Sequence, residues 1–278
     1  MSEYQFIDFI AIDGEVSDKN LKYMRTQSTR AQITGTRFTN EYNFGDFHGD
    51  AAEMLRRGYD AHLHFANFGI RKIMFRMPVG LPWSEETFSQ YAVEDCLTWD
   101  RDKRSAGGIL TIEPEADAGT YEEDLYDAES FLERLAPLRE MLISGDLRPL
   151  FLAWLACAYD EEAKVPPIPA GLSNLNRPLK ALAEFYEIPS ALIRTAAKDS
   201  PPVRDAIDKH MLIEKWAAKQ NKADLQRILT QLLTGTAPDV RRKVMAEITA
   251  GPSKALWPTA DSSATYGELC SAAGMSPR

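Results

Sequence analysis

Cysteine and histidine are scarce in this chain of 278 residues: three of one and four of the other. Cys96, Cys157 and Cys270 stand far apart and are odd in number, and no CxxC pair or Cys/His finger is present. That excludes a disulfide framework and a zinc finger, and reduced thiols in a cytoplasm are the expectation. Cys157 reads as a small buried residue within an apolar helix. Long apolar runs are also missing. The richest stretch, 147–159, contains Arg148 and Pro149, is too short to span a bilayer and reads as a core helix, so no membrane association is expected. Residues 1–10 have no basic leader region and are interrupted by Glu3 and Asp8, so no signal peptide is expected. There is no Gly-x-Ser-x-Gly, no Walker loop and no GxGxxG after a strand, and Gly107-Gly108 reads only as a turn. No repeat of solenoid period appears. Positive charge is in the minority, 32 Lys and Arg against 41 Asp and Glu, and the net charge of −9 argues against general phosphate-backbone binding.

What is present is an ordinary globular composition, 44% hydrophobic and 26% charged, long enough for one large or two modest domains. The patterning predicts an α+β fold: an N-terminal sheet-containing domain with β-hairpins over 1–115, then an all-helical C-terminal domain over 120–252 and a loosely attached tail over 253–278. Residues 4–12 suit a strand, Ser17 caps a short helix, and 31–44 form an extended segment or a hairpin. Asp50 caps a helix over 51–58. Residues 62–69 and 70–77 flank a turn at Asn67-Phe-Gly69 and read as a hairpin, the rival being one helix from 50 to 68. Ser84 opens a short helix, and 96–99 with 109–112 suggest a second hairpin. The acidic run 113–129 contains no Lys or Arg and reads as a solvated link.

From Thr120, which with Glu123 fits a capping box, apolar residues at helical spacing predict one helix to Leu142, ended by Gly145. The apolar helix over 147–156 follows, then a proline-rich loop at 166–171 and short helices near 179–186 and 191–197. Ser200-Pro201-Pro202 predicts a helix start leading into 203–219. Helices over 223–233 and from Thr236 follow. The stretch 203–254, with Trp216 among lysines and Arg241-Arg-Lys243, is mildly basic within an acidic chain.

Several stretches occur together: Ser28-Thr-Arg-Ala-Gln-Ile-Thr34, Asn40-Glu-Tyr-Asn-Phe-Gly-Asp-Phe-His-Gly-Asp50, Tyr59-Asp-Ala-His62 and Gly145-Asp-Leu-Arg148 with Leu152-Ala-Trp-Leu155. In these the chain resembles, over roughly residues 4–200, a family of bacterial proteins with no assigned activity. The resemblance implies no chemistry. His48, where a lysine is usual, and His64, where an aromatic residue is usual, depart from the family pattern and weaken any mechanism resting on them.

The residues themselves offer three kinds of site. If 61–68 is a strand, His62 and His64 point to one face, and with a carboxylate such as Asp46 or Asp60 they have the makings of a Zn²⁺ or non-haem iron site. The aromatic and glycine-rich 40–50 loop offers a small-molecule surface in which Tyr42, Phe44 and Phe47 stack and Arg30 or Arg76 supplies charge, with Asn40, Asp46, Asp60 and Asn67 as polar contacts. Arg139 and Arg148, flanking Gly145-Asp146, either meet an anion or satisfy carbonyls and Asp146. The leading expectation is a non-catalytic interaction or adaptor protein of the cytoplasm with a protein partner, its helical hairpins offering grooves. The alternatives are a metal-dependent enzyme or ligand-binding protein on Asp46, Asp60, His62 and His64, and a nucleic-acid-associated regulator on the 203–243 helices.

Overall fold

Aromatic and β-branched residues in alternation make Gln5–Ile10 a strand, β1, buried along almost its whole length. The computed structural model describes residues 4–43, 45–103, 107–115, 128–203, 209–234 and 257–277, together with 240, 244, 247 and 248. Beside β1 lie β2 (Gln32–Ile33), β3 (Arg37–Tyr42), β4 (Ala61–Ala66), β5 (Ile70–Met77), β6 (Leu97–Arg101) and β7 (Gly108–Ile112). They form one antiparallel sheet in the order β2-β3-β1-β4-β5-β7-β6.

Both expected hairpins form. Ala66 faces Ile70 across the β4–β5 turn, where Gly69 takes a φ of 111° that a side chain would resist. The 62–69 stretch is thus strand, and the rival long helix is replaced by α2 (Ala51–Arg57), whose Asp50 cap accepts from the Glu53 amide at 2.8 Å. The 31–44 stretch resolves as the β2–β3 hairpin. Gly107 and Gly108 are required by close approach rather than by a turn. A Cβ on Gly107 would sit 2.4 Å from the Met77 carbonyl oxygen, and one on Gly108 2.5 Å from the Trp99 ring.

Alternation across the pleat divides the apolar residues between two faces. Ile7, Phe9, Phe38 and Met74 turn to the face covered by α1 (Asp18–Gln27) and α2, through Met24, Met54 and Leu55. Phe6, Leu63, Phe65, Ile73, Phe75, Leu110 and Ile112 turn the other way. They meet α4 (Ala128–Leu135), α5 (Pro137–Ile143), α6 (Arg148–Cys157), α7 (Arg177–Phe185) and α8 (Ser190–Ala196), while α3 (Glu85–Ser89) adds Phe88 to the same cluster. Every residue of α6 is buried, as its all-round apolar sequence predicts. The sheet and the helices share this one cluster across the division drawn near 115–120.

Four details correct the sequence reading. The single helix to Leu142 is broken at Pro137, which begins α5, because proline has no N–H for the preceding turn and its ring clashes with the carbonyl four residues back. Ser200 caps no helix: its hydroxyl donates to the Pro169 carbonyl at 2.7 Å and accepts from the Leu172 amide at 3.0 Å, and 201–203 are irregular. The helical half is not all-helical, since β8 (Ile168–Pro169) pairs with β9 (Thr259–Ala260). The described part of the expected loose tail is docked: α11 (Tyr266–Ala272) begins with a capping box of Thr265 and Glu268 and buries Tyr266, Leu269 and Cys270. Between them, α9 (Lys209–Ala217) and α10 (Lys222–Thr234) follow. The Thr120–Glu123 box, Phe44, Thr236 and Arg241-Arg-Lys243 lie outside the described residues, as does most of the acidic run.

The reduced-thiol expectation is also overturned. Cys96, just before β6, is bonded to Cys157 at the end of α6, across a sequence separation of 61. Cys270 is free and buried. Spacing in the sequence carries no trace of this pair, because only the packing of α6 against the sheet edge brings the two residues together. Titration of the unfolded, unreduced protein is expected to find one thiol, and three after reduction. Three thiols without reductant overturn the bond. The Cys96→Ser/Cys157→Ser variant is expected to lose about 2–4 kcal/mol in denaturant unfolding.

Candidate functional site

The residues singled out from sequence fall in three places rather than one. The first is on the α1–α2 face of the sheet. The β1–β4 register sets Phe9 opposite His62 and Ile7 opposite His64, so the two imidazoles do share a face. The His62 ring stacks on Phe9 with centroids 4.0 Å apart and is 1% exposed. Its Nδ1 lies 3.0 Å from the Asp8 carbonyl oxygen, and since a carbonyl only accepts, the proton sits on Nδ1. His64 Nε2 lies 2.8 Å from Gln5 Oε1. Gln5 Nε2 in turn donates to Asp46 Oδ1 at 2.8 Å and to the Gly45 carbonyl at 3.1 Å. Two acceptors at that end fix the amide's orientation and leave His64 as the donor to Oε1. The chain runs His64 to Gln5 to Asp46, and Gln5 is the member that no sequence pattern pointed to.

Burial holds both rings neutral. His64 is pushed down to about 4, chiefly by desolvation and then by Lys72, with Asp46 pulling partly the other way. His62 is held well below the usual imidazole range, again by burial first and by His64 next. At neutral pH each ring donates one N–H to a fixed acceptor and neither is an imidazolium, which makes the pair a polar, uncharged patch rather than a general-acid site.

The second place holds Asp60 and Arg76, and it removes Asp60 from the histidines. Asp60, with no exposed surface, accepts from the Ile12 and Asp13 amides at 2.7 and 2.9 Å through Oδ2. Its Oδ1 accepts from Arg76 Nη2 at 2.5 Å and Nε at 3.1 Å, and faces Arg139 Nη2 at 3.4 Å. Arg139, 1% exposed, holds Asp13 at 2.7 Å and donates from Nε to the Arg76 carbonyl at 2.7 Å. Two carboxylates and two guanidiniums thus close on one another, joining the 11–13 loop, the start of β4, the end of β5 and α5. Arg148 makes a separate buried pair with Asp146 at 2.7 Å, the second of the two readings given to it, whereas Arg139 serves Asp13 and Asp60.

The third place is a groove of about 720 Å³ beside β2 and β3, lined by Arg30, Gln32, Arg37, Thr39, Asn40 and Glu133 among others. Its charges are mixed, and Arg37 already holds Asp8 and Glu133, each at 2.8 Å. Of the expected ligand residues, Arg30 and Asn40 alone line it. Tyr42 turns its hydroxyl to Ser28 Oγ at 3.4 Å, and Asn67 Oδ1 accepts from the Tyr4 amide at 3.0 Å in the hairpin turn. Asp46 is bound to Gln5, and His48 is exposed. The metal reading required a carboxylate beside His62 and His64. Among the described residues no group of three or more His, Cys, Asp or Glu is placed to hold a metal ion.

No protein-family profile, no curated protein and no solved structure matches the chain.

Two outcomes follow from this geometry. The histidines protonate near 6.5 when unfolded but only at lower pH in the fold, so unfolding takes up protons as the pH falls. Stability is therefore complete above about pH 6.5 and declines toward pH 4, by about 3 kcal/mol for His64 alone. His64→Gln, which keeps a donor for Gln5, is expected to flatten that decline in urea unfolding at stepped pH; an unchanged slope refutes the assignment. Asp60→Ala takes the acceptor from the Ile12 and Asp13 amides and from Arg76 and leaves Arg139 to Asp13 alone, and is expected to cost about 3–5 kcal/mol.

Proposed function

We propose that the chain is a non-catalytic interaction module that binds a protein partner through α10. One observation carries the reading. Leu225, Ile228, Leu229 and Leu232 fall on one face of α10 at helical spacing, yet no residue of the helix is buried. Leu229 and Leu232 are 56% and 44% exposed, and Leu233 on the flank is 78% exposed. Apolar surface left in water at this density marks a contact site, and covering it recovers about 25 cal/mol per Å². The amphipathic face suits recognition by a groove or by another helix. The polar histidine patch and the buried Asp60 network take no part in it.

Among the described residues no helix is long and apolar enough to cross a membrane. Within this proposal the protein works in the cytoplasm. The Cys96–Cys157 bond pulls toward an oxidising compartment, where such bonds persist, so thiol trapping in intact cells is the measurement that decides location.

The Leu229→Lys/Leu232→Lys variant tests the module. Its unfolding free energy is expected to match the parent within about 0.5 kcal/mol, as surface substitutions do. A protein retained by the tagged parent is expected to be lost by the variant. Equal retention by both, or a loss of several kcal/mol in the variant, overturns the reading.

A further inference from the structure

We infer that the cleft between α8 and the end of α11 is a binding site for a small phosphate monoester with a short apolar body. The cleft has a volume of about 550 Å³, within the range of small-ligand pockets. It shares no residue with α10 or with the three places described above.

Charge is the first argument. Arg194 and Lys198 line the cleft and are four residues apart, so the turn that continues α8 through 197–199 sets them on one side. Among the described residues no carboxylate lines it, although the chain holds 41 Asp and Glu against 32 Lys and Arg. Among those residues neither cation is paired with an acid, and Arg194 Nη1 donates to the neutral Ser190 Oγ at 2.9 Å. The nearby helix ends do not consume the charge either. The Thr195 and Ala196 carbonyls accept from the Lys198 and Asp199 amides at 3.2 Å each, and those of Cys270 and Ser271 from the Met275 and Gly274 amides at 3.0 Å each. Thr195 and Ser173 add two hydroxyls to the wall, and neither hydroxyl is engaged by another described residue.

The wall that presents Ser173 is fixed in place. Within the turn 171–174 the Asn174 amide donates to the Gly171 carbonyl at 3.2 Å. The buried Arg148, held by Asp146, donates to the same carbonyl at 3.3 Å. Ser200, just past α8, accepts from the Leu172 amide at 3.0 Å and so ties the turn to that helix. Binding to walls already in place costs less ordering entropy.

The donor set selects the ligand. Two full positive charges and two hydroxyls exceed what one planar carboxylate can take. A phosphate monoester carries about −1.5 to −2 charge at pH 7 and three acceptor oxygens, which suit a guanidinium fork, an ammonium and hydroxyl donors together. Ala191, Ala272 and Ala273 line the cleft with methyl groups alone, leaving room for an apolar body.

Titration calorimetry of the full chain in about 0.15 M salt, with phenyl phosphate, inorganic phosphate and phenylacetate as probes, tests this. Phenyl phosphate is expected to bind the parent with a dissociation constant of about 1 mM or below, and the other two about tenfold or more weaker. Arg194→Gln/Lys198→Gln is expected to weaken phenyl phosphate about tenfold or more with an unchanged urea midpoint. Ala272→Leu, which fills the apolar side, is expected to weaken phenyl phosphate and leave inorganic phosphate as it was. No saturation of the parent up to about 10 mM phenyl phosphate, or equal binding by the double variant, overturns the site. Phenylacetate binding as tightly as phenyl phosphate overturns the phosphate assignment. Inorganic phosphate binding as tightly, or an Ala272→Leu variant that binds phenyl phosphate as the parent does, overturns the apolar body.

Discussion

A carboxylate shut away from water keeps its charge only where donors surround it, and Asp60 is the point at which this protein meets that demand. Its two oxygens receive two backbone amides and two guanidiniums, and the second guanidinium, Arg139, belongs to a helix on the far side of the chain. Loss of the carboxylate would leave two buried amides and Arg76 without their acceptor, and a buried group left unsatisfied in low dielectric is costly. The network therefore sets how α5 sits on the β4–β5 hairpin, and with it the seating of the helical layer that α5 and α6 begin.

Around that anchor the apolar residues do the bulk work. The sheet is buried on both faces over β1 and β4, so hydrophobic packing holds it from two sides: a thin cover of α1 and α2, and a thick one built on α6. The Cys96–Cys157 bond ties the thick cover to the sheet near its β6 edge, and α11 packs Tyr266 against Trp154 of α6. The thin cover hosts the polar exception, where His62 and His64 are tolerated because each donates one N–H to a fixed acceptor and neither carries charge. Against this background α10 stands out, an amphipathic helix with an apolar face and nothing buried.

Local signals were legible where local physics decides. The β4–β5 and β6–β7 hairpins, the Asp50 cap and the all-round apolar α6 follow from turn chemistry, capping and hydrophobic period, each a matter of neighbours within a few residues. Pro137 was legible too, and the helix break it causes was missed only because the apolar spacing runs straight through it. The Ser200-Pro201-Pro202 signal misled because Ser200 found a tertiary acceptor in the Pro169 carbonyl.

The site residues were legible as residue types but not as partners. Strand parity did place His62 and His64 on one face, yet parity alone could not say that Gln5 would answer His64, or that Asp60 would be drawn to Arg139 79 positions away. By itself the sequence determined the elements, their apolar faces and the acidic balance of the chain, because those depend on periodicity and composition. The tertiary structure alone decided which charges meet, which cysteines bond and which leucines of α10 stay exposed. Those outcomes depend on distances between residues that the linear order keeps far apart, and on burial, which sets the cost of leaving a charge unpaired.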